Sequence, residues 1–357
     1  MFVDSDIADG KRLPTARSAR AGTMRIVSSP WGPGTCPAAL CGFSVVQPDD
    51  DHRQGAFYHG LKTAHGWTAY MTGSGDKPVA VVTGATSGIG LETARGLARE
   101  GMRIIALGRD EARIADVAKN FEAEGLTAQW VRADLSSISQ THAAAARIAE
   151  MTDRIDILVN NAGGLLDTRH VTADGLEAMF QVNHLAPYIL TLDLLPQLKR
   201  SSVPHVITVS SIGHTMIDDL HWDDLQMEIS FLPITAYAQS KLANILFTRE
   251  LAARHAADNI VASAVHPGLV ASRFPESAGV ETQSYYAAAE KSGQALTSAQ
   301  GADTIIWLAT DRDRALPSGG YFHERKRVEP SPAAQSEEGA KRLWDISARL
   351  SSLETAE

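Results

Sequence analysis

The sequence contains little cysteine. Two cysteines, Cys36 and Cys41, occur in 357 residues, and both lie outside the part of the chain that shows regular patterning. This scarcity argues against a disulfide framework, and the sequence predicts neither a metal site nor a thiol nucleophile. A reducing compartment is therefore expected, and we predict a cytoplasmic protein.

Positive charge and long apolar runs are also scarce. The 33 Lys and Arg residues are outnumbered by 42 Asp and Glu residues, which gives a formal net charge of -9. Nucleic-acid binding relies on clustered Lys and Arg that contact phosphates, so this balance argues against a nucleic-acid partner. No apolar run approaches the roughly 18 residues that a membrane span needs, so no span is predicted.

Residues 1–70 lack any sustained hydrophobic period. Stretches such as "DGKRLPTARSARAG" and "QPDDDHRQG" mix Gly, Pro, Asp and Arg. This composition predicts a low-order N-terminal extension that carries neither catalytic residues nor core. An alternative hypothesis places the biological start at Met71, which would leave residues 1–70 outside the native protein.

From residue 77 the chain alternates between short β-branched runs and amphipathic segments. "PVAVVT", "RIIALG" and "HVITVSS" are typical of buried strands, and helices are predicted between such runs, one of them stopping at Gly125. A long helix is predicted to reach "LLPQLKRS", and another to run from about Thr235 to His255. This alternation predicts one doubly wound, mostly parallel α/β domain of the Rossmann type over residues 77–353.

Three glycines follow the first predicted strand, in "VVTGATSGIG". Gly84 permits a tight turn, Gly88 lets backbone N–H groups approach a phosphate, and Gly90 lets the next helix pack closely on the strand. The positive end of that helix would then face an anion. Ordinary loops also use glycine, but the position between a strand and its helix favours a dinucleotide cofactor.

The end of the second predicted strand bears on which dinucleotide binds. In NAD enzymes an acidic residue at this place binds the ribose, but here Gly108 occupies it and Arg109 follows. The guanidinium of Arg109 suits a 2′-phosphate, which favours NADP(H) over NAD(H); the alternative is that Arg109 is merely a solvated helix-start residue. Asp134 is placed either to accept from the adenine amino group or to cap the next helix.

Tyr237 and Lys241 lie four residues apart on a predicted helix and hence on one face. A nearby ammonium is expected to lower the phenol pKa from about 10, which would make Tyr237 a useful proton donor. Ser211, at the end of another predicted strand, would bind the substrate oxygen. Asn183 would hold a water that passes protons to Lys241, or would be a buried helix residue satisfied by the backbone.

Taken together, these motifs resemble those of the short-chain dehydrogenase/reductase family, in its single-domain branch. The catalytic tetrad of that family is matched by Asn183, Ser211, Tyr237 and Lys241. "NNAG" (Asn160–Gly163) resembles the strand-four motif near the nicotinamide, and "HPGLVAS" resembles the segment that contacts the nicotinamide carboxamide. The resemblance implies a cofactor site formed by Gly84, Ser87, Gly88, Ile89, Gly90, Arg109, Asp134, Leu135, Asn161, Ala162, Gly163, Tyr237, Lys241, Pro267, Val270 and Ser272.

Longer segments narrow the likeness. "NHLAPYILTLDLLP" and "YAQSKLANILFTRELAAR" are similar to segments of retinol dehydrogenases and of the WW-domain-containing oxidoreductase. The resemblance implies an NADP(H)-dependent oxidoreductase that interconverts a carbonyl and an alcohol by hydride transfer, with Tyr237 as proton donor. Four aromatic residues indicate a small apolar substrate, with core packing as the equal alternative: Phe231, Phe274, Tyr285 and Tyr286.

Other functions and assemblies stay open at this point. A protochlorophyllide reductase-like double-bond reductase shares the Tyr/Lys pair, but that family also uses a cysteine near its site, and residues 77–353 contain none. A catalytically silent NADP sensor usually loses the Tyr or the Lys, and both are present here. Leu242, Ile245 and Leu246 would form either the seam of a homodimer or ordinary core.

Overall fold

The structure, a computed structural model, describes residues 77–271, 278–311 and 316–352. The predicted extension over residues 1–70 lies outside the described residues, as do Ser272, Phe274 and Leu353. The strands within the described ranges are β1 Val79–Val82, β2 Arg103–Gly108, β3 Ala128–Arg132, β4 Ile157–Asn160, β5 His205–Val209, β6 Val261–Val265, β7 Gly320–His323 and β8 Lys326–Val328.

Helices separate most of these strands. They are α1 Gly88–Arg99, α2 Glu111–Ala123, α3 Ile138–Met151, α4 Ala178–Phe180, α5 Ala186–Asp193, α6 Leu195–Leu198, α7 Pro233–Arg254, α8 Val280–Lys291, α9 Ser298–Thr310 and α10 Glu337–Ser351. The predicted stop of α2 is confirmed, because Gly125 adopts a φ of 71° directly after the C-cap residue Glu124. Helix α7 begins two residues before the predicted Thr235, where Pro233 takes a position that needs no backbone donor.

All the strands join one sheet in the order β3-β2-β1-β4-β5-β6-β7-β8. The pairs from β3 to β7 are parallel and β8 is antiparallel to β7, so the predicted doubly wound, mostly parallel sheet is confirmed. Strand β1 pairs with β2 on one side and with β4 on the other. The direction of winding reverses there, and such a switch point opens a crevice at the carboxyl ends of the strands.

Side chains of the strands feed two cores, one on each face of the sheet. Successive residues of β1 alternate between them, because side chains on a strand point to opposite faces. Val79 and Val81 pack with Ile148 of α3 and residues of α5. Ala80 and Val82 pack with residues of α1 and α9 on the other face. Both faces of β1 are thus buried, which explains why its sequence is apolar throughout.

The segment before β5 differs from the single long helix that the sequence predicts. Between α4 and α5 the backbone forms a π-helical turn over Gln181–Leu185, and α5 ends at Asp193 before the short α6. The apolar residues keep a helical spacing across this wider turn, so the sequence alone predicts one continuous helix. Such turns within helices occur frequently at functional sites, and this one contains Asn183.

Three apolar residues of α7, for which the sequence allows either a dimer seam or the core, belong to the core. Leu242, Ile245 and Leu246 are buried within the chain, and Leu343 of α10 packs in the same cluster. Helix α10 of the same chain therefore packs over this cluster. In the part of the chain that the structure describes, no helix combines the length and the apolar character that crossing a membrane requires.

Candidate active site

The glycine turn lies at the switch point, between β1 and α1. Gly84 and Gly88 have φ values of 66° and 56°, in the left-handed region where a side chain is strained. A Cβ at Gly90 would stand 2.3 Å from the Gly84 carbonyl oxygen and 2.4 Å from Asn161 Nδ2. The tight turn at Gly84 and the close packing at Gly90 are therefore present, and the approach of a phosphate at Gly88 stays a prediction.

Among the residues that the structure describes, no side chain caps the amino-terminal end of helix α1 at this turn. Its N-cap residue Ser87 makes no side-chain capping bond, and the first turn carries no acidic residue. The first N–H groups of a helix lack intrahelical acceptors, and the helix dipole adds partial positive charge. Together with the half-buried Ile89, these residues form a cradle that fits the pyrophosphate of a dinucleotide.

Thr83 ties the glycine turn to the "NNAG" segment, a role that the sequence did not reveal. Its Oγ1 accepts hydrogen bonds from the backbone N–H groups of Asn161 and Ala162, each at 2.9 Å. Asn161 Nδ2 donates in return to the Thr83 carbonyl at 2.8 Å. The two loops that flank the crevice are therefore fixed relative to each other.

The end of β2 is closely packed at Gly108. Gly108 is buried, and a Cβ on it would lie 2.5 Å from Thr86 Cγ2. Arg109 is exposed beside it, and within the described ranges no hydrogen bond or ion pair engages its guanidinium. Gly108 thus places no carboxylate at the end of β2, and the neighbouring Arg109 adds positive charge there.

Asp134 does not cap the next helix. Its Oδ1 accepts from the Ser136 backbone N–H at 3.0 Å and from the Ser136 hydroxyl at 2.7 Å, while the N-cap of α3 is Ser137. Asp134 is half-buried and the following Leu135 is buried. The capping alternative is therefore wrong, and the contact with an adenine amino group stays a prediction.

Ser211 and Tyr237 meet although they come from different elements. Ser211 follows β5 and Tyr237 lies in the second turn of α7, and a Cβ on Gly213 would lie 3.4 Å from Ser211 Oγ and 3.3 Å from Tyr237 Cε1. Burial raises the pKa of the Tyr237 phenol to about 12, and the neighbouring Ser211 side chain acts in the opposite direction. The expected lowering of this pKa by Lys241 is not what the described residues produce, because the loss of water around a phenolate dominates.

Lys241 is buried one turn after Tyr237. Its Nζ lies 5.6 Å from the centroid of the Tyr237 ring, which confirms that the two side chains share a helix face. The ammonium donates to the Val209 carbonyl at 3.1 Å, and burial lowers the pKa of Lys241 to about 8. The amine is therefore mostly charged at neutral pH, and its pKa lies close enough to neutrality for proton exchange.

Asn183 uses its side chain to fix the loop after β4. Its Oδ1 accepts from the Gly164 N–H at 2.9 Å, and its Nδ2 donates to the Gly164 carbonyl at 3.0 Å and to Ser240 Oγ at 2.9 Å. A Cβ on Gly163 would lie 2.9 Å from Asn183 Oδ1 and 3.4 Å from Lys241 Nζ. The interpretation as a buried, satisfied helix residue fits these contacts, and the water relay stays a prediction.

The segment after β6 also reaches this end of the sheet. Pro267 is half-buried, Val270 is buried, and Gly268 has a φ of 91°. Val270 forms a parallel bridge with Leu296, which anchors the segment just before α9. The bridge fixes the backbone of the segment that is predicted to contact a nicotinamide, and those contacts stay a prediction. Ser272 lies outside the described residues.

The chain is similar to proteins of one family. The family model described as short chain dehydrogenase matches residues 78–222. Retinol dehydrogenase 12 of Mus musculus is 38% identical over 276 residues, which cover 76% of this chain and 85% of that protein. Retinol dehydrogenase 13 of Homo sapiens is 37% identical over 289 residues, which cover 77% and 84%.

Two solved structures share the fold. An uncharacterized protein from Mycobacterium paratuberculosis is 29% identical and matches with a TM-score of 0.61 over 78% of this chain and 96% of its own. The NADP active-site complex of Pseudomonas aeruginosa RhlG is 26% identical and matches with a TM-score of 0.56 over 72% and 96%.

Proposed function

The chain belongs to the short-chain dehydrogenase family and is an oxidoreductase that acts on CH–OH groups; from this premise we propose that it interconverts an aldehyde or ketone and the corresponding alcohol with NADP(H). The observation that carries this proposal is the meeting of Ser211, Tyr237 and Lys241 beside the glycine turn. When bound, the nicotinamide supplies or takes the hydride.

Tyr237 carries the proton of this reaction. A phenol with a pKa of about 12 remains protonated at neutral pH, so it is ready to donate a proton to the oxygen of a carbonyl substrate. The hydroxyl of Ser211, which lies near Tyr237, donates to the same oxygen and stabilises its developing negative charge. The Lys241 ammonium adds positive charge on the same helix face and reaches the ribose of the dinucleotide.

The preference for NADP(H) is supported by the end of β2. Gly108 leaves no carboxylate to repel a 2′-phosphate, and the exposed guanidinium of Arg109 offers that phosphate two parallel donors. The RhlG structure, which resembles this chain, is a complex with NADP. NAD(H) remains the weaker alternative cofactor.

An apolar substrate is supported by the surroundings of Tyr237. The Tyr237 ring packs against an apolar cluster that contains Leu165, Met179 and Ala236, with Phe231 at its edge. Tyr285 and Tyr286 of α8 contact each other edge to face, and Tyr237 contributes to the raised pKa of Tyr286, so α8 lies near the proposed proton donor. The names of the similar retinol dehydrogenases likewise refer to an apolar alcohol.

Oxidation of NADPH and of NADH against a panel of apolar and polar aldehydes and ketones tests the proposal. We expect turnover of apolar carbonyls with NADPH, and formation of the alcohol as product. A product that keeps its carbonyl but loses a carbon–carbon double bond would indicate a double-bond reductase instead. NADPH binding without any turnover would indicate a silent sensor. A cytoplasmic location and a homodimer stay predictions.

A further inference from the structure

A buried histidine that the proposed chemistry does not use lies three residues after Ser211. His214 is fully buried in the 3₁₀ turn Ile212–Met216. Its Nδ1 lies 2.7 Å from the Ser211 carbonyl oxygen, and its Nε2 lies 3.1 Å from the backbone nitrogen of Ser331. The ring thus bridges the turn after β5 and a segment 117 residues away in the chain.

The two partners define which ring nitrogen carries the proton. The Ser331 N–H can only donate, so Nε2 must accept and Nδ1 must hold the hydrogen that is donated to Ser211. Burial lowers the pKa of His214, and the ring of Tyr321 packs edge to face at 5.1 Å. Both ring nitrogens of the neutral imidazole therefore make hydrogen bonds, and the two bonds fix the orientation of the ring.

This orientation matters because the same turn sets the position of the Ser211 side chain. The Ser211 carbonyl also accepts from the His214 backbone N–H at 3.2 Å, while Ser211 Oγ accepts from Gly213 N–H at 3.0 Å. Gly213 packs close to the proton donor, since a Cβ there would lie 3.3 Å from Tyr237 Cε1. A shift of the turn would change the distance between the Ser211 and Tyr237 hydroxyls.

We propose that His214 is a positioning residue that holds Ser211 in register with Tyr237 by anchoring the turn to Ser331, in the segment between β8 and α10. The inference rests on the proposed function, in which Ser211 binds the substrate oxygen. The segment that follows β8 thereby becomes part of the support of the site, although it contributes no group that touches the substrate.

Two variants at Ser331 test the contact from the side of its donor. Ser331→Ala keeps the backbone N–H and removes the hydroxyl, which accepts a long bond of 3.4 Å from the Ala334 N–H. Ser331→Pro removes both the hydroxyl and the N–H, and its Cδ takes the place of the hydrogen that faces His214 Nε2, so the contact is broken. We expect Ser331→Ala to match the parent, and Ser331→Pro to lower kcat/KM for the carbonyl by about tenfold, as the loss of about 1.4 kcal/mol of transition-state stabilisation would.

The affinity for NADPH distinguishes a loss of Ser211 positioning from a general destabilisation of the site. The dissociation constant for NADPH should stay within about twofold in Ser331→Pro, because Ser211 serves the substrate and not the nucleotide. The inference is overturned if Ser331→Pro and Ser331→Ala have the same kcat/KM. It is also overturned if the NADPH affinity of Ser331→Pro falls by the same factor as its kcat/KM.

A readout without turnover keeps the inference distinct from the proposed function. Two-bond ¹⁵N–¹H NMR of the histidine rings, with the His214 signals assigned by their loss in His214→Asn, reports the tautomer. We expect the Nδ1–H form in the parent, and an Nε2–H form would overturn the inference whatever the activity. A parent protein with the Nδ1–H form and no activity toward any carbonyl would instead refute the proposed function.

Discussion

Lys241 and Asn244 donate to the same acceptor, the main-chain carbonyl of Val209, at 3.1 Å each. They lie one turn apart on α7, and Val209 is the last residue of β5, directly before Ser210 and Ser211. Ser210 completes the arrangement, because its hydroxyl donates to the Lys241 carbonyl at 2.7 Å. Helix α7 is thereby fixed to the strand end that carries Ser211, and both lone pairs of one carbonyl are used in doing so.

The same arrangement places an ammonium where it reduces stability, and this leads to the first prediction. The pKa of Lys241 falls from 10.5 to about 8 on folding, so below pH 8 the folded state bears the cost of a buried charge. Lys241→Met should abolish turnover and yet raise the free energy of unfolding at pH 7 by up to about 3 kcal/mol. Urea unfolding of both proteins measures the difference.

The pH dependence of that difference has a defined sign. Between pH 8 and 10.5 the unfolded chain holds a proton on Lys241 that the folded chain has lost, so the stability of the parent rises with pH in this window. The advantage of Lys241→Met should shrink across it. Lys119→Met serves as the control for the loss of a lysine charge from an exposed helix position. A gap that stays constant up to pH 10.5 would contradict the lowered pKa.

The parts of the site that the sequence predicts are those that rest on short spacings. The glycine turn at Gly84–Gly90 and the pair Tyr237 and Lys241 are each contained in one turn or one helix face, so local rules are sufficient. The parallel sheet follows equally from the alternation of apolar strands with helices. A signal for Asn244 was also present, three residues after Lys241 on the same face.

The parts that the sequence does not predict depend on contacts between distant segments. Thr83 binds Asn161 across 78 residues, and His214 binds Ser331 across 117 residues, and no spacing rule connects such pairs. The π-helical turn around Asn183 keeps an apolar pattern that an ordinary helix would also show. The raised pKa of Tyr237 depends on how deeply the assembled domain buries its hydroxyl, which a local Tyr/Lys spacing does not express.

Two adjacent glycines provide the second prediction, because the structure gives them opposite tolerance. A methyl group on Gly163 would lie 2.9 Å from Asn183 Oδ1, whereas one on Gly164 would meet nothing within 4 Å. Gly163→Ala should therefore displace Asn183 and lower kcat/KM at least about tenfold, since overpacking typically costs about 1–3 kcal/mol. Gly164→Ala should retain the parental kinetics. Equal effects of the two substitutions would contradict the packing described here.

The third prediction concerns Arg109 and the choice of nucleotide. Arg109→Gln removes a charge-assisted partner of the 2′-phosphate, so NADPH should bind about 10- to 150-fold more weakly while NADH binding hardly changes. Fluorescence titration with both nucleotides measures the effect. Arg99→Gln, at the opposite end of α1, is the control, because Arg99 is exposed and pairs with Glu124 at 2.7 Å. Equal losses for NADPH and NADH would assign Arg109 a structural role.

The last prediction tests the proton donor. Tyr237→Phe keeps the ring that packs on Leu165 and Ala236, so the fold and the nucleotide site should persist. It removes the hydroxyl that is proposed to protonate the substrate. General acid–base catalysis typically contributes about 10²- to 10⁴-fold, and turnover should fall by at least about 10². Stopped-flow measurement of hydride transfer, with nucleotide titration beside it, separates the two effects.

Lys241→Ala is the companion variant, because it is assigned a second role. Loss of the ammonium should weaken both nucleotide binding and turnover, whereas Tyr237→Phe should affect turnover alone. If Tyr237 and Lys241 were exposed residues that happen to lie four apart, neither variant would change binding or turnover much. Lys241 is instead buried, with 4% of its surface exposed, so its removal should disturb the site. Parental turnover in Tyr237→Phe would mean that another group moves the proton, and the mechanism proposed for Ser211, Tyr237 and Lys241 would have to be abandoned.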